Sequence, residues 1–192
     1  MKRILICLLS VFLIIFCLYT EQAQSKIADS VIRLHILANS NSPSDQSLKL
    51  EVRDFVLKKY GQNLTASSRD EAVKKIYEIL PSMIGEISEF SGENVKISLC
   101  EENFSTRNYE NFTLPAGDYL SLKIILGEGK GKNWWCVMYP PLCFTEISSV
   151  KDKDTLKSIL SPEEYELITS KKKDVIFKFK TLEILNKIKT IF

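Results

Sequence analysis

The amino terminus carries the feature that most limits what this chain can become. Met1-Lys2-Arg3 is positively charged, and Ile4 to Tyr19 then runs without a single Asp, Glu, Lys or Arg. That run is short for a membrane-spanning helix, which needs about 20 residues, and long for the apolar core of a secretory leader, roughly 7–15. A buried helix of a water-soluble core would show a polar stripe or caps, and this segment has neither. Residues 1–25 therefore read as a signal peptide or signal anchor, and in either case residues 26–192 end up on the far side of a membrane. Ala23 and Ser25 stand at the small-residue positions of a cleavage site, which would make Lys26 the first residue of a processed chain; retention as an anchor is the alternative. No small-residue lipobox precedes Cys7 or Cys17.

The remainder has the make-up of one ordinary globular domain. Of 192 residues, 45% are hydrophobic and 26% charged, which excludes a disordered chain. The 26 Lys+Arg against 24 Asp+Glu become equal once Lys2 and Arg3 are set aside, so the domain lacks the basic excess of a nucleic-acid binder. A single histidine, His35, argues against a zinc centre or a general-base triad, and no cofactor or metal is expected. Three cysteines lie beyond the leader: Cys100, Cys136 and Cys143. Cys136 and Cys143 flank Pro140-Pro141, whose turn could bring them together as a disulfide; two small buried side chains are the alternative.

Periodicity orders the chain. Ser30 to Leu37 is a strand, with Ile32, Leu34, Ile36 and Ala38 on an apolar face and Val31, Arg33, His35 and Leu37 on a mixed one. Ser42 is a good N-cap and Pro43 suits the first turn of a helix that Gly61 closes. Ser68 to Glu71 is a capping box opening a second helix, in which Pro81 predicts a kink or split and Gly92 an end. Strands follow at 95–100, 108–114, 119–126 and 133–139, with short helices at 155–160 and 162–169. A last strand at 174–180 and a terminal helix over 184–191 complete the pattern. Helices grouped apart from strands, with short connections, predict an α+β fold: an antiparallel sheet with helices packed against it.

Few residues point to chemistry. Gly127 to Lys132 lacks the spacing of a phosphate loop, and Asn133 stands where Ser or Thr would hold magnesium, so a hairpin turn is the better reading. His35 with Ser40 and Asp45 could be drawn as a hydrolytic triad, but no nucleophile elbow supports it. Asp118 and Glu128 have no rule placing them together. Lys171-Lys172-Lys173 reads as a solvated strand entry. Trp134 and Trp135, adjacent on a strand, must point to opposite faces, so one can enter the core while the other packs outside it. Pro140-Pro141 must end that strand.

Three blocks together resemble the stage II sporulation protein R family of endospore-forming bacteria. The first is Ile32-Arg33-Leu34-His35-Ile36-Leu37-Ala38-Asn39-Ser40, continuing to Asp45-Gln46 and Lys49 to Asp54. The second is Leu114-Pro115-Ala116-Gly117-Asp118-Tyr119. The third runs from Leu126-Gly127-Glu128-Gly129 through Asn133-Trp134-Trp135-Cys136-Val137 to Tyr139-Pro140-Pro141-Leu142-Cys143-Phe144. The resemblance covers most of residues 27–180. It implies a protein made in the forespore and exported into the space between the forespore and mother-cell membranes. There it would act as a non-enzymatic signal that activates a membrane-embedded aspartic-type protease, the sigma-E factor processing peptidase, and so triggers pro-sigma-E cleavage. The surface expected to meet that partner includes Trp134, Trp135, Pro140, Pro141, Asn39, Ser40 and Asp45. The competing reading is an exported wall hydrolase or peptidase using His35, Asp45, Asp118 and Glu128.

Overall fold

The computed structural model describes residues 2–61, 66–109, 112–142, 154 and 156–169. In chain order its elements are α1 (Lys2–Ser30), β1 (Ile32–Leu37), α2 (Pro43–Tyr60), α3 (Arg69–Ser91), β2 (Val95–Phe104), β3 (Arg107–Asn108), β4 (Thr113–Leu114), β5 (Gly117–Leu126), β6 (Asn133–Tyr139) and α4 (Pro162–Thr169). The strand expected at 174–180 and the helix expected over 184–191 lie outside the described residues. The chain forms two compact units. The larger takes Ser30–Glu102 and Tyr119–Ile159; the smaller takes the described residues within Met1–Asp29, Asn103–Asp118 and Leu160–Phe192.

The larger unit is built on a four-stranded sheet in the order β2-β5-β1-β6. The α+β expectation holds, with one refinement: the sheet is mixed. β1 pairs antiparallel with β6, Leu34 facing Cys136 and Ile36 facing Trp134, but parallel with β5, Leu34 facing Leu122 and Ile36 facing Ile124. A strand enclosed on both edges and both faces should be nearly all apolar. β1 obeys this, with Ile32, Leu34 and Ile36 fully buried, and its two departures, Arg33 and His35, share the opposite face.

The helices cover the Ile32, Leu34 and Ile36 face. Val52 and Val56 of α2 and Ala72, Ile76, Met83 and Ile87 of α3 join Leu122, Ile124, Leu126 and Met138 in one core. Each fully buried aliphatic side chain here contributes about 1.5–3 kcal/mol. The caps are those the sequence signals. Ser42 is extended and its Oγ accepts from the Asp45 N–H at 3.1 Å. Ser68 Oγ accepts from the Glu71 N–H at 3.2 Å, while the Glu71 carboxylate reaches one residue further back, to the N–H and hydroxyl of Ser67. Hydrogen bonds from Lys75 and Ser67 hold the Glu71 carboxyl down to about 2. Gly92 adopts φ 68° and ends α3.

Pro81 does not split α3, which runs unbroken from Arg69 to Ser91. Its ring removes one backbone donor, but Pro81 and Tyr77 are both exposed, so water can take the freed Tyr77 carbonyl. The buried stripe passes from Ile76 to Met83 and Ile87 on the other side, and that packing carries the helix through.

In the smaller unit, Arg107–Asn108 and Thr113–Leu114 pair as two short antiparallel strands, β3 and β4, where the sequence reading has one weak strand over 108–114. The Tyr109 N–H donates to the Phe112 carbonyl at 2.8 Å and the two rings stack at 4.6 Å, which folds the segment back on itself. α4 opens on a reciprocal box: Ser161 Oγ accepts from the Glu164 N–H, and the Glu164 carboxylate accepts from the Ser161 N–H at 2.9 Å.

An interior proline costs a helix about 3 kcal/mol relative to alanine. Pro81→Ala, on the exposed side of α3, is expected to raise the urea-unfolding free energy by ~1–3 kcal/mol without changing the far-ultraviolet signature of the fold.

Candidate functional site

β6 delivers the two tryptophans to opposite faces of the sheet. Trp134, level with Ile36, packs against the helix-side core, and the Arg53 guanidinium of α2 lies over its ring at 5.3 Å. Trp135, level with His35, stays half-buried on the other face, its ring 5.5 Å from the imidazole. Among the described residues β6 is a sheet edge, and it ends at Tyr139, where Pro140-Pro141 can donate no ladder bonds. Pro140 is buried and Pro141 half-buried.

Beside Trp135, the same face carries a polar ladder that crosses all four strands. His35 Nδ1 lies 3.0 Å from Glu102 Oε2 of β2, and its Nε2 lies 3.0 Å from Asn133 Oδ1 of β6. Lys123 of β5 completes the ladder, its Nζ 2.7 Å from Glu102 Oε1. Burial alone would raise the Glu102 carboxyl; hydrogen bonds from Lys123 and His35, with the charge at His35, outweigh it and hold the group below its ordinary range. One step along β1, Arg33 is fully buried, with Nε donating to the Cys136 carbonyl at 3.3 Å and the guanidinium 5.2 Å from the Tyr119 ring centre. Glu102, Lys123 and Asn133 are not singled out by sequence. Their one signal is a charged or polar side chain on the mixed face of a strand.

At the carboxyl end of β1, two loops are stitched together. Residues 127–132 join β5 to β6 by arching over β1, which lies between those strands, so the segment is a bridge and not the expected hairpin turn. All six of its backbone N–H groups donate within the protein. Gly127 donates to the Asn94 carbonyl, Gly129 to Leu126, Lys130 to Asn39 and Gly131 to Ala38. Glu128 donates to Asn39 Oδ1 and Lys132 to Asn41 Oδ1, both at 2.9 Å. A phosphate cradle needs such donors free, and none is. The approach is close enough to demand glycine: a Cβ on Gly131 would sit 2.2 Å from the Ser40 carbonyl oxygen.

The polar residues after β1 are consumed in this junction. Asn39 Nδ2 donates to Asp45 Oδ2 at 3.3 Å, and Gln46 Nε2 donates to the Ser40 carbonyl at 2.8 Å. The buried Lys49 ammonium donates to Gln46 Oε1 and to the Lys132 carbonyl at 3.0 Å; burial, then the charge of Lys132, push it down from its ordinary value. Hydrogen bonds led by Ser40, with Ser42 and Asn39, hold the Asp45 carboxyl low.

The four carboxylate and imidazole candidates are thus each engaged locally. His35 meets Glu102 and Asn133; the Asp45 carboxylate accepts from Asn39 Nδ2; Asp118 accepts from Asn103 Nδ2 at 2.8 Å; Glu128 pairs with Lys130 at 2.6 Å. Among the described residues no group of three or more His, Cys, Asp or Glu converges as a metal site requires. Cys136 is disulfide-bonded, Cys7 and Cys100 are free thiols, and Cys143 lies outside the described residues.

These features define a class: a small α+β domain behind an apolar, leader-like helix, with an aromatic strand and a partly buried charged ladder. The family model for stage II sporulation protein R matches residues 28–149. The Stage II sporulation protein R of Bacillus subtilis (strain 168) is 41% identical over 138 residues, which is 68% of this chain and 61% of that protein. The chain belongs to the stage II sporulation protein R family, and with it to the proteins of sporulation. It spans 61% of the length of the relative it matches. No solved structure matches it.

Two outcomes follow for the site. Gly131→Ala and Asn39→Ala are each expected to destabilise the fold by ~1–3 kcal/mol, read by denaturant unfolding. Glu102 titrates lower in the folded chain than unfolded, so its contribution is present above its ordinary value of 4.5 and is lost as pH falls through the folded value. Glu102→Gln is expected to flatten the stability-versus-pH curve below the ordinary value of 4.5.

Proposed function

We propose that this chain is an exported signalling protein of sporulation. It acts as a non-enzymatic ligand in the space between the forespore and mother-cell membranes, where it activates the membrane-embedded sigma-E factor processing peptidase and so triggers pro-sigma-E cleavage. Family membership supports a sporulation role, and α1, apolar from Ile4 to Tyr19, is compatible with an export signal or anchor.

The observation that carries the binding reading is Trp135. A half-buried tryptophan on an edge strand, beside a ladder of charged groups, is the kind of anchor on which protein interfaces concentrate their energy. Trp134 serves differently, because it packs against the core under Arg53. Pro140 and Pro141 set the end of the surface. Asn39, Ser40 and Asp45, whose polar groups hold the junction, shape its rim. A ligand activates its receptor only by binding the active state better than the inactive one, so the rigidity of this junction serves the function. A disulfide between Cys136 and Cys143 is part of the same reading, closing the chain past Pro140-Pro141.

Trp135→Ala is expected to leave a folded, exported protein with at least ~tenfold weaker activation of pro-sigma-E processing at equal protein level. Normal processing by this variant would refute the assigned surface. The pairing is checked by peptide mapping without reductant, which should yield a Cys136–Cys143 peptide that Cys143→Ser abolishes.

A further inference from the structure

The leader and the domain meet inside one helix. α1 runs without a break from Lys2 to Ser30, across position 25, where a small-residue cleavage site would separate them. Its first part is exposed, including Leu5 at 68% and Phe12 at 63%. Its last turns are buried on one side, Ile27 fully and Ala28 nearly so, while Ser25, Lys26 and Asp29 stay exposed. Between them, the Gln24 side chain lies directly on Gly117, the first residue of β5. A Cβ at Gly117 would stand 2.0 Å from Gln24 Nε2, and Gly117 takes φ +154°. The backbone angle calls for glycine there, and the absent Cβ leaves room for the Gln24 amide to lie against it.

We propose that α1 is retained as a membrane anchor and that Gln24–Ala28 is the joint that fixes it within the smaller unit, at Gly117. Removal after Ser25 would take Gln24 away and uncover Gly117, which is buried. A peptidase holds its substrate as an extended strand, so cutting the folded chain at this point would first require the last turns of α1 to unwind and Ile27 to leave its buried site. The exposed half has the make-up a bilayer accepts. At 1.5 Å per residue, the uncharged run is about 25 Å long, slightly under a hydrocarbon core of about 30 Å. Lys2 and Arg3 close one end of it and Glu21 the other, and the two basic side chains can reach up to the headgroups. The occupant of this apolar surface is therefore lipid. The proposal stands whether or not the peptidase is the partner.

The test uses the full chain with a carboxyl-terminal tag, produced in sporulating cells. Intact-mass measurement is expected to find the leader residues present, and alkaline carbonate washing is expected to leave the protein in the membrane pellet. A protein that begins anywhere between Glu21 and Ser30 and is released by the wash would overturn retention. Gln24→Ala keeps a good helix former and introduces no clash. In detergent it is expected to be cut between Glu21 and Ser30 by an added protease at least ~fivefold faster than the parent. Equal rates would overturn the joint.

Discussion

β1 hydrogen-bonds on both edges, to β5 running parallel and to β6 running antiparallel. That double pairing is the constraint on which the larger unit depends. It seats Ile32, Leu34 and Ile36 under α2 and α3, and sends Arg33 and His35 to the opposite face. It also separates β5 from β6, which are neighbours in sequence, and so forces residues 127–132 to bridge over the end of β1. The bridge holds because the chain leaving β1 offers it Ala38, Asn39 and Asn41 as acceptors. Sheet order and loop chemistry are one arrangement.

The same geometry explains why the two faces differ. A face covered by helices tolerates only apolar side chains, and the ladder pairs there are Leu with Leu and Ile with Ile. On the other face a charge can persist if it is paired, and Glu102 is paired twice, with Lys123 and His35. Each partner comes from a different strand, so the ladder also pins the strands in register. Trp135 sits at the margin of that ladder, where a rigid support meets a sheet edge. An anchor residue works best when its surroundings do not rearrange on binding.

Much of this was legible beforehand wherever the physics is local. Ser42, Ser68 and Gly92 mark helix ends because a cap acts over three or four residues. The opposite orientation of Trp134 and Trp135 follows from the two-residue period of a strand alone. The bounds of β6 agree for the same reason, with Pro140 as the stop. Where the outcome rests on distant partners, sequence reasoning fell short. Pro81 looks like a break until the buried stripe on both sides of it is seen to continue. The segment 108–114 reads as one strand until Tyr109 and Phe112 are found stacked. Glu102 is unremarkable among the acidic residues around it until Lys123 and His35 close on it.

By itself, the sequence determined the apolar amino-terminal segment, the α+β make-up, the helix ends and the strand that carries the tryptophans. All of these are set by periods and caps acting within a few residues. Tertiary structure alone decided that β1 lies between β5 and β6 and runs parallel to one of them. It alone made Asn39, Ser40 and Asp45 part of the fastening of a bridge, and laid Gln24 of α1 against Gly117. The reason is common to these cases. Each depends on which distant segments share a hydrogen bond or a buried surface, and no local pattern encodes that choice.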